Sequence, residues 1–260
     1  MFTMQHFGLG DINAGNTSLQ QLYEIFKCTL NPDLTEDEFN SYLFGQHPES
    51  LEISYIYKDK ELAGFCTGTA YPLTISKKRI TVLRSAFGLR EDYREGNFPL
   101  QGLFFKYIRR KLKAPFSPMY VAGFMANPLM YAMICRYSLN CYPRPGKKIP
   151  AAIFALKHEL TRSLPPQSTG SHPFVMRIHF QVALLKSDIS RIHQSKDPYV
   201  KYFTEINPHY QQQHGVLVLV PVSWLNILYT TARYLFRRLK KMASQQKSRK
   251  INKPCPVPQN

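Results

Sequence analysis

Hydrophobic spacing along the chain changes period several times. Apolar residues at Leu19, Leu22, Ile25, Phe26 and Leu30 follow three- and four-residue steps, which predicts a helix over 17–30. Thr17 or Ser18 is placed to cap it, and Asn31-Pro32 to end it. Thr35-Glu36-Asp37-Glu38 sets a hydroxyl three residues ahead of a carboxylate, a capping-box start for a second helix with acids in its first turn. From Leu51 the pattern turns β-rich. Leu51–Tyr57 and Leu62–Tyr71 flank a polar turn at Lys58–Glu61 and predict a hairpin, with Gly64 and Gly68 marking bulges or close backbone approaches. Pro72–Lys78 reads as a loop and Arg79–Leu89 as a third strand. Leu100–Leu112 returns to helical spacing with bases in its last turn. Met119–Ala126 is a short strand, and Asn127-Pro128 opens a helix through Arg136. This order predicts an α/β (α+β) layered domain.

In the second half, residues 140–171 are rich in Pro, Lys and Ser and read as an insertion around one helix, 151–161. His172–Leu185 is a long β-rich run, and 215–222 a strand interrupted by Pro221. Final strands are expected in 172–186 and 215–223. The polar stretch between them predicts a long loop over about 187–214, suited to a lid over an acceptor site. Trp224–Met242 has the clearest amphipathic pattern, with Trp224, Leu228, Thr231, Leu235, Leu239 and Met242 on one face. The domain proper is thus expected over 1–223, a basic amphipathic helix over 224–242, and a disordered tail over 243–260.

Charge sharpens this division. The net charge is +17. Residues 1–60 hold nine acids and three bases, a local −6, so the remaining residues carry +23. Arg233–Lys253 alone has nine bases and no acid. Such an excess calls for an anionic partner or serves as a solubilising tail. With Trp and Phe on its other face, the stretch 224–250 suits an anionic membrane surface; it equally suits a helix packed on the domain with bases at its C-terminal end. No nucleic-acid reader motif accompanies the bases, so a nucleic-acid partner is not expected. The five cysteines form no CxxC pair, and neither HExxH, GxxxxGK[ST] nor GxSxG occurs. No metal site, Walker-type NTPase or elbow hydrolase is therefore expected. The N-terminus lacks a basic region followed by an apolar run, and a cytoplasmic setting is expected, peripheral at the inner membrane face.

The residues bearing candidate chemistry are at 88–103, GLREDYREGNFPLQGL. A strand there gives way to a polar turn and then a helix, a geometry that can hold an anion on backbone amides. Leu89-Arg90-Glu91-Asp92-Tyr93-Arg94, and Met119–Ala126 followed by Asn127-Pro128-Leu129-Met130-Tyr131, resemble the two cofactor-binding segments of the GNAT superfamily of acyl-CoA-dependent N-acyltransferases. The resemblance covers roughly residues 15–145; the glycine signature is reduced to Gly96, displaced by one position. It implies a mixed central sheet flanked by helices, in which the strand before the turn splays from its neighbour and an acyl-pantetheine arm lies in the gap. It implies that Arg90, Arg94, Glu95, Gly96, Asn97 and Phe98 contact a pyrophosphate. By the same resemblance Ala86, Phe87, Gly88 and Leu89 flank the pantetheine, with Asn127 nearby. No metal is implied.

The tyrosine that the family often carries seven or eight residues after the asparagine falls here on Ile134 and Cys135. Tyr131 is the nearest candidate acid, Tyr137 the next, and both also fit as core aromatics. Glu52, on the early strand, is the candidate base. The implied activity is transfer of an acyl group from an acyl-CoA, with a long-chain donor suggested by the aromatic content, to an amine on a small molecule or protein. Two alternatives are an acyl-carrier-protein-dependent N-acyl amino acid or homoserine-lactone type synthase, and a non-catalytic GNAT-like module binding a membrane or a protein.

Overall fold

The structure is a computed structural model that describes residues 2–8, 11, 17–44, 48–75, 77–93, 101–162, 172–178, 184 and 186–251. Its strands are β1 (Phe2–Gly8), β2 (Ser50–Lys58), β3 (Glu61–Ile75), β4 (Lys78–Leu89), β5 (Met119–Met125), β6 (Val175–Arg177) and β7 (His214–Pro221). The α-helices are α1 (Thr17–Thr29), α2 (Glu36–Phe44), α3 (Gln101–Lys113), α4 (Pro128–Tyr137), α5 (Ala151–Thr161), α6 (Lys186–His193), α7 (Pro198–Ile206) and α8 (Trp224–Ile251). One sheet holds all seven strands in the order β1-β2-β3-β4-β5-β7-β6. Every neighbouring pair is antiparallel except β4 and β5, which are parallel and joined through α3. This is an α/β (α+β) layered domain, as the order of elements predicts, with the mixed central sheet flanked by helices that the resemblance implies.

Alternation along the strands sorts residues onto two faces. Leu51, Ile53, Tyr55, Phe65 and Ala86 pack against Leu22, Ile25, Phe26, Phe39 and Leu43 of α1 and α2, with Phe26 stacked on Phe65 at 4.6 Å between ring centroids. The same face of β5 and β7 meets α4, α5 and α7 through Ala122, Tyr131, Leu156, Phe203 and Leu217. The opposite face takes α3 and the start of α8, with Ala70, Leu83, Met119, Val222 and Ile227 packed beside Phe104, Tyr107 and Ile108. The capping box of α2 forms as expected. The Glu38 N–H donates to Thr35 Oγ1 at 3.2 Å, and the Thr35 N–H donates to Glu38 Oε2 at 3.1 Å.

The sheet is two half-sheets joined by a short seam. β3 and β4 stay paired from Ile75–Lys78 to Gly64–Leu89, and β5 and β7 from Tyr120–Pro221 to Met125–Val216. β4 and β5 pair only through Thr81–Met119, Val82–Tyr120, Leu83–Val121 and Arg84–Ala122. Beyond that point Ser85–Leu89 stays paired with β3 and Gly123–Met125 with β7, and the break in pairing between these two edges is the gap referred to below.

Several expectations need correction. β3 does not end before Pro72 but runs to Ile75, which leaves no long loop before β4. β2 pairs with β3 only as far as Ala70, so Pro72 lies where β3 has become an edge and its missing N–H breaks no bond to β2. The loop expected over 187–214 is largely α6 and α7. Asp197 caps α7 by accepting from the Tyr199 N–H at 2.7 Å, and Val200, Phe203 and Ile206 are buried at helical spacing. The long β-run over 172–185 contributes only Val175–Arg177 among the described residues. α8 continues past 242 to Ile251, through a stretch of Ala, Gln, Lys and Arg without Pro or Gly. β1 has no counterpart in the sequence expectations; it is a half-polar edge strand paired only with β2.

A Cβ at Gly64 would lie 2.3 Å from the backbone oxygen of Gly88. Gly64→Ala should therefore force β3 and β4 apart and cost about 2–3 kcal/mol in chemical denaturation. Arg136 of α4 holds Asp197 at the start of α7, its Nε donating to Oδ2 at 2.9 Å. Partial burial alone would raise the Asp197 carboxyl, but Arg136 and the Tyr199 and Val200 N–H groups outweigh it and hold it below its usual value. That stabilisation is present above the unfolded-state value and is lost as pH falls below about 4. Asp197→Asn should give a shallower loss of stability with acid in that range, measured by denaturation at stepped pH.

Candidate active site

Two polar residues occupy the point where β4 leaves β5. Alternation sends Arg84 and Ser85 to opposite faces. Arg84, in the last β4–β5 pair, lies under α2. Its guanidinium is 4.9 Å from the Tyr42 ring centroid and 5.8 Å from that of Tyr71, and it hydrogen-bonds the Tyr42 hydroxyl. Two aromatic faces can hold a cation without neutralising it. No carboxylate among the described residues pairs with it; the ion pairs formed by the neighbouring bases are Arg90–Asp92, Lys106–Glu52 and Arg110–Glu49.

Ser85 faces α3, where its hydroxyl shares a short hydrogen bond with the Tyr107 hydroxyl. Burial pushes the Tyr107 phenol well above the ordinary tyrosine value, although the Ser85 bond opposes this, so it keeps its proton at neutral pH. Gly68 lies directly opposite Ser85 on β3, and Glu52 opposite Gly68 on β2. A Cβ at Gly68 would meet nothing within 4 Å, so this glycine leaves open space and is not the close approach that Gly64 is. The row Glu52–Gly68–Ser85 thus runs from the sheet's polar patch to the gap. Glu52 is half-exposed and bonded to Lys106 at 2.8 Å. Lys106 also donates to Ser54 Oγ at 3.3 Å, and that hydroxyl pairs with His6 Nδ1 at 2.8 Å. Burial and the nearby Lys106 lower the His6 pKa, against a smaller opposing effect of Glu52.

The predicted site residues lie in several different places. Phe87, Gly88 and Leu89 lie on the part of β4 that borders the gap. A Cβ at Gly88 would fall 2.2 Å from Thr29 Oγ1, so this glycine lets α1 pack against β4. The Arg90 N–H donates to Ala63 O at 2.9 Å and extends the β3–β4 ladder. Its side chain stays part-exposed, near Asp92 at 3.7 Å and the Tyr93 ring. It forms one wall of an open cleft of about 610 Å³ whose other walls include Gln20, Glu24 and Cys28 of α1. Asn127 follows β5 and caps α4, its Oδ1 accepting from the Leu129 N–H at 2.8 Å. Arg94, Glu95, Gly96, Asn97 and Phe98 lie outside the described residues.

Tyr131 is a correction. It is fully buried, its hydroxyl donates to Pro143 O at 2.9 Å, and its ring packs on Phe203 and Tyr202. Burial raises its pKa strongly. It packs in the core, as does Cys135, whose thiol lies 3.4 Å from that of Cys141. Sequence reading missed Arg84, Ser85 and Tyr107. Their signal was faint: an arginine and a serine within a hydrophobic strand, and a tyrosine on the inward face of α3.

No protein-family profile matches the sequence, and no curated protein matches it. Solved structures with some likeness include a probable N-acyltransferase from Enterococcus faecalis, at 13% identity and a TM-score of 0.37 over 52% of this chain and 32% of that one. A ribosomal-protein-alanine N-acetyltransferase from Brucella melitensis has 14% identity and a TM-score of 0.30, covering 46% of this chain and 79% of that one. A GNAT family acetyltransferase from Elizabethkingia anophelis, solved with acetyl-CoA bound, has 14% identity and a TM-score of 0.30, over 56% and 88% of the two chains. The chain thus spans about a third of the length of the Enterococcus protein.

Tyr131→Phe should remove the donor to the Pro143 carbonyl and cost about 1–2 kcal/mol in thermal or chemical denaturation. A role confined to the gap would leave stability unchanged.

Proposed function

We propose that the protein is an N-acyltransferase that threads an acyl thioester into the gap between β4 and β5 and passes the acyl group to an amine. The observation that carries this reading is the end of β4–β5 pairing at Arg84–Ala122 while both strands continue. An extended amide-bearing arm can lie along strand edges that no longer bond each other, much as a peptide adds to a sheet edge. Phe87 and Leu89 would border the arm, Asn127 would lie nearby, and Arg90 would face the phosphates of an acyl-CoA from the rim of the cleft at the end of β4.

In the reaction the amine nitrogen attacks the thioester carbonyl, the carbon–sulfur bond breaks, and the leaving thiolate takes up a proton. Holding both reactants in the gap supplies much of the rate. The protonated Tyr107, bonded to Ser85 at the divergence, is the proposed proton donor. Glu52, about two strand spacings or ~10 Å away along the open row over Gly68, is the proposed base, taking the amine proton through water. Long-chain thioesters partition into bilayers, so a long-chain acyl-CoA and a peripheral position on the cytoplasmic side of a membrane suit the same reaction.

A second reading concerns donor and acceptor. Arg84, held between Tyr42 and Tyr71 with no carboxylate paired to it among the described residues, favours an acceptor that carries a carboxylate beside its amine, as an amino acid does. The exposed bases Arg109 and Lys113 on α3 would suit an acidic acyl carrier protein as donor.

Acyl-CoAs of increasing chain length should raise the melting temperature progressively; equal indifference to all of them, and to acylated carrier protein, would sink the assignment in favour of a non-catalytic module. Tyr107→Phe should lower kcat by about 10²-fold with donor affinity unchanged. Arg84→Gln should raise KM for an amino-acid acceptor by about 10- to 100-fold while leaving donor binding intact. An unchanged KM would remove the carboxylate reading alone.

A further inference from the structure

The amphipathic helix α8 docks on the domain by its polar side. Asn226, almost fully buried, donates from Nδ2 to Asn140 O at 2.9 Å and to Pro221 O at 2.7 Å. Its Oδ1 accepts from the Asn140 N–H at 2.8 Å. Thr230 Oγ1 donates to Tyr137 O at 2.6 Å, and Arg237 donates to the Tyr137 hydroxyl at 2.6 Å. Of the helix's large aliphatic residues, Ile227 is the one buried against the sheet among the described residues.

The apolar stripe points the other way. At 100° per residue, Leu225, Leu228, Ala232, Leu235, Phe236, Leu239 and Met242 fall within one continuous face. The large members of this face are exposed: Leu225 by 66%, Leu228 by 64%, Leu235 by 50%, Phe236 by 67%, Leu239 by 63% and Met242 by 51%. Trp224, 40% exposed, stands at its N-terminal end. From Leu235 onward every side chain described on the helix is exposed. A run of this size on one helix is more than scattered surface apolar residues. Arg233 and Lys240 flank the stripe on one side and Arg238 on the other. No described helix is long and apolar enough to cross a membrane.

We propose that α8 is a peripheral membrane anchor that lies flat on an anionic bilayer, its outward apolar stripe sunk at the boundary between headgroups and acyl chains and its flanking bases on the headgroups. Charge complementarity selects this occupant. A stripe flanked by cations meets compensating charge on an anionic leaflet, whereas two copies of α8 face to face would oppose like charges. Polar docking of Asn226, Thr230 and Arg237 fixes the roll of the helix, so the stripe is presented without unfolding any part of the domain.

Trp224 is the chain's one tryptophan, which gives a direct readout. The full-length protein should float with vesicles of phosphatidylcholine containing about 30% phosphatidylglycerol, with a blue shift of its emission, and bind pure phosphatidylcholine at least tenfold more weakly. Added salt should release it. The exposed double substitution Leu235→Asp with Phe236→Asp should lower partitioning at least tenfold without moving Tm. The triple substitution Arg233→Glu, Arg238→Glu and Lys240→Glu should lower it on anionic vesicles by at least the fivefold expected per basic residue. The proposal is overturned by absence of binding to anionic vesicles, by equal binding to neutral ones, or by binding that survives the double substitution. It is equally overturned by a dimer in sedimentation that the double substitution dissolves while vesicles capture nothing.

Discussion

The parallel seam between β4 and β5 is four pairs long, and the architecture turns on its shortness. β4 is committed along its whole length to β3, and β5 along nearly all of its length to β7. Each half-sheet twists with its own partners and has its own helices, α1 and α2 over one and α4, α5 and α7 over the other. From Thr81 to Arg84 the halves bond; beyond it they no longer do. β4 and β5 each keep their outer partner through the parting, so the break lies between the two half-sheets and within neither.

Chemistry concentrates at the end of the seam for the same reason. A strand alternates its side chains, so the last paired residue and the next one look to opposite faces. Arg84 therefore reaches the α2 side and Ser85 the α3 side. On one face two tyrosine rings hold a cation; on the other a partly buried phenol shares a hydrogen bond with a serine hydroxyl. Small residues set the clearances around this point. Gly64 admits the Gly88 carbonyl, Gly88 admits α1, and Gly68 leaves space along the row that leads to Glu52.

α8 shows how far amphipathicity alone underdetermines orientation. The pattern is strong, yet the face that docks is the one bearing Asn226, Thr230 and Arg237, because Asn140 and Tyr137 offer backbone groups and a hydroxyl that need partners.

Local physics was enough for much of this protein. Helices α1 to α5, the hairpin, β4, β5 and β7 are all legible from spacing and caps, because Thr35–Glu38, Asn127-Pro128 and the alternation of β4 act over a few residues. The stretch 187–206 reads as a loop because it is polar; the Asp197-Pro198 cap and the spacing of Val200, Phe203 and Ile206 carry a helical signal for 198–206 alone. Tertiary structure alone decided where β4 and β5 part, that Tyr131 lies in the core, that Ser85 meets Tyr107, and which face of α8 turns outward. Each of these depends on a contact between residues distant in the chain: Tyr131 with Pro143 and Phe203, Ser85 with Tyr107, Asn226 with Asn140. The free energy of such contacts is set by burial and partnering in the assembled fold, and no local pattern encodes it.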